Sequence, residues 1–212
     1  AKDAVAGKKA VRDIADSYHA ARDALAFDVE AASLDETLSR TLGTPSILAD
    51  SGDNPTAGGV GDRADVLERV LATNRTGVLF AGISDSAAFD ALAQGRKTVT
   101  LGGSLGGGGP QVELAVEHCE IIGDCAVVKS NGVTVVVAAK RRPFHNLTDF
   151  KALGLTLNQY ELLVVKSGYL SPDLRSLPRR QIMALTDGAV SQDLPRLENK
   201  HRPKGTWPFS TF

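Results

Sequence analysis

The stretch from Ile47 to Leu71 constrains this chain more than any other. Ile47-Leu48-Ala49 is a short apolar run of the buried-strand kind, and Val66, Leu67, Val70 and Leu71 recur at the spacing of one helix face. Between them lies Gly52-Asp53-Asn54-Pro55-Thr56-Ala57-Gly58-Gly59-Val60-Gly61-Asp62. A strand that ends in a glycine-rich, acid-containing loop and re-enters as a helix is a common way to build a ligand site in an α/β protein. The loop sits at the carboxyl end of the strand, and the helix opens with free N–H groups. The glycines permit positive φ or close backbone approach, Asp53 and Asn54 bring side-chain oxygens, and Pro55 stiffens the turn. The same residues also suit an ordinary turn, with Asp62 or Asp65 charging the first turn of the next helix. Neither Gly-x-x-x-x-Gly-Lys-Ser/Thr nor Gly-x-Gly-x-x-Gly is matched, so nothing here implies a nucleotide.

The flanking pattern sets the fold class. Residues 8 to 31 read as one amphipathic helix, with Val11, Ile14, Tyr18, Ala21, Leu25 and Phe27 near one face. Ser33 with Glu36 three positions on forms a capping box for a second, short helix that ends near Leu42-Gly43 before Pro45. Strand 46–51, helix 62–73, strand 78–83 and helix 86–94 follow, the last capped by Ser84 or Asp85 and stopped at Gly95. This βαβα alternation predicts parallel strands joined by crossover helices. Runs 98–101, 112–122, 126–129 and 133–139 are then β-rich, and Asn131-Gly132 is a strong hairpin signal. The expected architecture is α/β: a mixed sheet with a βαβα start, an antiparallel β-meander after it, and a helical amino-terminal lead-in. The uncharged run Gly102 to Pro110 reads as a flexible connection, with a flap over a site as the alternative. A short helix at Asp149-Phe150, a buried strand at Leu162–Val165 and a last short strand at Ile182–Leu185 complete the pattern. Beyond residue 187 an extended arm is anchored by Trp207 and Phe209.

Bulk properties narrow the function. With 24 basic and 25 acidic residues in 212, the net charge of -1 provides no field that would draw nucleic acid or a membrane surface. No apolar run approaches the roughly 20 residues of a membrane span. The opening Ala1-Lys2-Asp3-Ala4 has neither a Met nor an apolar leader core, which suggests a processed or excised segment in the cytoplasm. Cys119 and Cys125 have no metal-knuckle spacing and sit among Ile121, Ile122, Val127 and Val128, so they read as small core residues rather than as a disulfide.

Two further segments could carry chemistry. Arg141-Arg142-Pro143-Phe144-His145 follows a buried strand, where guanidinium and imidazole groups can hold a carboxylate or a metal-bound anion; a solvated basic turn is the plain alternative. Lys166 closes the strand Leu162–Val165 ahead of Ser167-Gly168-Tyr169, a position where α/β sites form but where surface lysines are also common. His19, His118 and His201 are scattered, and no cluster has metal-ligand spacing.

Taken in order, these segments resemble the carboxy-terminal domain of the MlrC family, metallopeptidases named for an enzyme that degrades linearised microcystin. The matching stretches are Leu48 to Pro55 with Gly58-Gly59 and Gly61-Asp62, Ala81 to Asp85, Leu101 to Gly103, Lys140 to His145, Val164 to Leu170, Met183 to Gly188 and Arg202-Pro203. The resemblance implies an α/β domain at 33–212, preceded at 1–32 by a helical connection from an amino-terminal domain that carries the zinc ligands. It implies the carboxy-terminal part of a zinc-dependent amide or peptide hydrolase, inactive alone, with no metal ligands of its own. Its partners would be that amino-terminal domain and a peptide or amide substrate, and self-association is compatible with it. The glycine run after Leu105 is longer than the family's usual loop. Asp53 and Asn54 carry over as the catalytic contribution. Gly58, Gly59, Gly61, Asp62, Arg142, His145, Lys166 and Tyr169 carry over as substrate-binding candidates. A module of a different class also remains open: a non-catalytic domain that grips a small anion at the start of helix 62–73.

Overall fold

The structure, a computed structural model, describes residues 3–209. An eight-stranded sheet runs in the order β1 (Glu30–Ser33), β10 (Arg180–Leu185), β2 (Ser46–Asp50), β9 (Leu162–Val165), β3 (Val78–Ser84), β8 (Val133–Ala138), β7 (Cys125–Ser130), β6 (His118–Ile122). The first six are parallel to one another, and β8, β7 and β6 form the antiparallel edge. The expected mixed sheet is therefore present, with the meander continuous with the parallel part.

The topology has a simple logic. Strands β1, β2 and β3 step across the sheet in one direction and β8, β9 and β10 step back: β8 lies beyond β3, β9 fits between β2 and β3, and β10 fits between β1 and β2. Parallel crossovers are right-handed, so opposite stepping directions place the crossover helices on opposite faces. Helices α2 (Leu34–Arg40), α3 (Asp65–Ala72) and α4 (Ser86–Ala93) contribute Leu38, Val66, Leu67, Val70, Ala88 and Leu92 to one core, with Leu48, Phe80, Leu162 and Val164. Helices α5 (Leu147–Ala152) and α6 (Pro172–Arg175) contribute Phe150 and Leu174 to the other, with Ile47, Leu79, Leu163 and Val165. Alternate residues of the same strands feed the two cores, as a period of two requires. The central strands are consequently buried along their whole length.

Local signals behave as their chemistry dictates. Ser33 and Glu36 form the capping box of α2 in both directions. Asp85 caps α4 by accepting from the Ala88 N–H at 3.0 Å. Asn131 and Gly132 take φ of 48° and 75° in the β7–β8 turn, the positive values that a two-residue hairpin requires. Both cysteines are free, Cys125 buried and opposite Ile122 in the β6–β7 ladder. Other boundaries differ. The first helix, α1, covers Ala4–Ala21 and gives way to a short 3-10 turn and then to β1. Nothing in α1 is buried, so no packing extends it to residue 31. The β-rich run 112–122 is two strands: β6, and β5 (Val112–Ala115), which pairs with β4 (Thr98–Leu101) in a separate two-stranded sheet. Among the described residues no helix is long and apolar enough to cross a membrane.

Candidate functional site

The interleaving of strands builds the site. The loop after β2 begins between β10 and β9, so residues far apart in sequence end at the same place. Asp50 and Lys166 close two wholly buried strands that lie side by side. Lys166 Nζ lies 2.9 Å from Asp50 Oδ2 and 3.0 Å from Asp53 Oδ2, with all three side chains at most 4% exposed. Thr186, just past β10, donates its hydroxyl to Asp50 Oδ1 at 2.6 Å and accepts the Gly52 N–H at 2.8 Å. Asp53 collects the backbone N–H of Gly61 on Oδ1 and that of Arg63 on Oδ2, each at 2.8 Å. Burial alone would push the Lys166 ammonium toward neutrality, but Asp50 and Asp53 more than offset this and hold its pKa above the ordinary lysine value. Two carboxylates and one ammonium out of water are tolerable only because hydrogen bonds satisfy their remaining oxygens.

From this anchor the loop arches over the ends of the neighbouring strands. Over β9, Asn54 faces Gly168, whose missing Cβ would lie 3.9 Å from Asn54 Nδ2. Over β3, Gly61 accepts the Ser84 N–H at 2.8 Å. Beyond β8, Arg141 Nη2 donates to the Pro55 carbonyl. Asn54 folds the apex through its own Oδ1, which accepts from the Thr56 N–H at 2.9 Å and the Thr56 hydroxyl at 2.7 Å. Gly59 is required there, because a Cβ would come within 2.6 Å of the Asp53 carbonyl carbon. Asp53 and Asn54 are thus buried, at 1% and 8% exposure, while Thr56, Ala57 and Gly58 form an exposed tip. Among the described residues, the Gly58 and Val60 N–H groups and the Asn54 side-chain amide donate to no protein acceptor.

The glycine run 102–110 lies against this loop instead of hanging free. Asp62 Oδ2 accepts from the Leu105 N–H at 2.7 Å and the Gly107 N–H at 3.3 Å, and the Asp62 carbonyl accepts from Gly103 at 3.0 Å. Asp62 Oδ1 is buried without a conventional partner and faces Gly107, where a Cβ would lie 1.9 Å away. Arg63 joins the two segments by donating to the Gly107 carbonyl at 3.1 Å while gripping Asp65 with two nitrogens. Burial disfavours the Arg63 charge, but Asp65, Asp187 and Asp53 raise its pKa above the arginine norm.

Of the residues singled out in the sequence, Asp53, Asn54, Gly58, Gly59, Gly61, Asp62 and Lys166 come together, and Tyr169 stands half exposed just beyond Gly168. Arg142 and His145 do not join them. Arg142 turns to Asp124 at 3.2 Å, the Cys125 sulfur at 3.4 Å and Asp149 at 3.7 Å. His145 keeps Nε2 buried and unpartnered, its carbonyl taking the Ser171 hydroxyl at the start of α6. Asp50 and Thr186 are the members that sequence reasoning passed over, and of the arginine pair it carried Arg142 forward where Arg141 is the one that meets the loop. For Asp50 a signal existed: opposite charges closing two apolar runs, Ile47–Ala49 and Leu162–Val165, are expected to pair. Among the described residues no group of three or more His, Cys, Asp and Glu could hold a metal, and Lys166 already neutralises part of the carboxylate cluster. These residues do not fit a zinc site.

The family model described as MlrC C-terminus matches residues 48–201. No curated protein matches the sequence. Among solved structures, a crystal structure of a Mesorhizobium sp. BNC1 protein described as a "Putative metallopeptidase" superposes with a TM-score of 0.71 at 20% identity. The superposition covers 95% of this chain and 45% of that one, so this chain spans less than half of the relative's length. At that identity the likeness is one of fold.

Proposed function

The chain belongs to the MlrC C-terminus family, and on that premise we propose that it forms the carboxy-terminal half of a zinc-dependent amide or peptide hydrolase. The metal is held by an amino-terminal domain, where it would polarise the scissile carbonyl and acidify water. The observation that carries the reading is the ion-locked loop over the carboxyl ends of β9, β3 and β8, with donors left free at its tip. Donors fixed before substrate arrives need no reorganisation as negative charge develops on a carbonyl oxygen. Asn54 and the Gly58 and Val60 N–H groups supply them. Asp53 has both oxygens engaged by Gly61, Arg63 and Lys166, so it acts by holding the loop in shape. Gly59, Gly61, Asp62 and Lys166 serve the same end, and Tyr169 flanks the substrate path.

The exposed apolar residues of α1, among them Val11, Ile14 and Tyr18, support a docking face for the amino-terminal domain, with the residues ahead of β1 as the connection; the α/β unit expected at 33–212 takes in Glu30–Ala32 as well, because they pair with β10. An anion-binding module at the start of α3 has less support, because Asp62 and Asp65 already crowd that helix end.

The test is Asp53→Ala in the longer polypeptide that carries the metal-binding half. Turnover on a peptide amide is expected to drop more than about tenfold while the circular dichroism spectrum stays native. Turnover within twofold of wild type would overturn the assignment.

A further inference from the structure

The adjacent arginines of the β8 terminus have different fates. Arg142 is spent on Asp124 and Asp149, and its guanidinium also packs 4.8 Å from the Phe144 ring centroid. Arg141 is exposed, and its one bond goes to the carbonyl of Pro55. No acidic side chain pairs with it among the described residues. A charged guanidinium is thus fixed at one nitrogen by a loop carbonyl, while an edge of its donor fork is left open. A flexible surface arginine would be free at every nitrogen, and a structural one would be neutralised. This one is neither.

We propose that Arg141 is the residue by which this face recognises a carboxylate on its ligand. The proposal rests on the reading of the loop as a substrate-binding face and names the substrate class: an amide that carries a free carboxylate, such as an acylated amino acid or the carboxyl end of a peptide. Planar bidentate pairing with a carboxylate uses the two parallel N–H groups that remain after the bond to Pro55. The Asn54 side chain, on the residue before Pro55, has an amide group without an acceptor, which suits the neutral carbonyl of the same ligand. The surroundings also select against a dianion. Asp50, Asp53 and Lys166 sum to one negative charge beneath the loop, Asp62 adds another nearby, and the Arg63 charge is already matched by Asp65 at 2.8 Å. A phosphate would meet that field with twice the charge and without a second cation to hold it.

The experiment uses the isotopically labelled chain and follows the Arg141 Nε–H and Asn54 side-chain signals by nitrogen-15 NMR. Three probes are titrated: N-acetylglycine, its neutral counterpart N-acetylglycinamide, and inorganic phosphate. N-acetylglycine is expected to shift both signals saturably with a dissociation constant of order 1 mM, with the other two probes at least about tenfold weaker. Arg141→Gln is expected to abolish the response. Arg141→Lys, which keeps a donor for the Pro55 carbonyl but lacks the fork, is expected to leave the Gly61 and Arg63 amide signals in place while the carboxylate response is lost. Equal response to the neutral amide, undiminished affinity in Arg141→Lys, or no movement up to about 50 mM N-acetylglycine would overturn the inference. The hydrolase reading fails separately, through unchanged turnover in Asp53→Ala, and that result leaves the NMR outcome intact.

Discussion

Residues 52–62 and 102–110 are both glycine-rich, both lie at the same end of the sheet, and they are held in place by different means. The first brings its own carboxylate. Asp53 gathers two loop N–H groups and is neutralised from beneath by Lys166. The second has no charge at all and is bound through backbone N–H groups to Asp62, a residue of the first. Glycine content therefore says little about mobility. What decides it is whether a buried carboxylate is available to collect the N–H groups that glycine leaves uncovered. The order of dependence follows: the Asp53 lock on the first segment uses no group of the second, whereas the second is fastened chiefly through Asp62, with Gly102 also donating to Asp85 at 3.3 Å.

The largest effect should come from Lys166→Met, which leaves Asp50 and Asp53 buried together without their counter-ion. A loss of about 3–5 kcal/mol in urea unfolding is expected. The same lock has a pH signature. Because the folded-state pKa of Lys166 lies above its unfolded value of about 10.4, its contribution is complete below that pH and fades as pH rises through the folded value. The stability gap between wild type and Lys166→Met should narrow on that alkaline side and stay constant from neutral pH up to it. A gap that does not depend on alkaline pH would break the first half of the comparison.

Next in size is Gly59→Ala, which sets a methyl group against the Asp53 backbone at 2.6 Å and should cost about 1–3 kcal/mol. Asp62→Asn is milder. It keeps one acceptor but weakens the hold on Leu105 and Gly107, at about 1 kcal/mol. Since 1 kcal/mol is roughly a fivefold change in an opening equilibrium, a protease that cuts before leucine should cleave at Ser104-Leu105 about fivefold faster. Cleavage at an unchanged rate would show that the second segment does not depend on the first. The smallest effect belongs to the exposed helix: Ile14→Ser should change the stability of this chain by less than about 0.5 kcal/mol, because Ile14 is 61% exposed.

These contrasts also show what the sequence could and could not convey. The α/β class, the capping box at Ser33, the hairpin at Asn131-Gly132 and the loop at Asp53 were readable, because each depends on neighbours within a few positions. The pairing of Asp50 and Asp53 with Lys166 was not, since it exists only because β9 inserts between β2 and β3, more than 110 residues away in the chain for Asp50. Arg141 and Arg142 are alike in sequence, and only the path of the chain past β8 decides which one meets the loop. The glycine run looked like a connector because its partner, Asp62, lies some forty residues upstream. The first helix was read too long because apolar spacing continues after residue 21, although nothing packs on it.

Four amides report most directly on whether buried carboxylates fasten this end of the sheet: Gly61 and Arg63 on Asp53, and Leu105 and Gly107 on Asp62. Hydrogen exchange of the unmodified chain should show all four slowed by at least about a hundredfold relative to an unstructured peptide, the Asp53 pair more than the Asp62 pair. Exchange of Gly61 and Arg63 at peptide rates, with the rest of the sheet protected, would contradict the account.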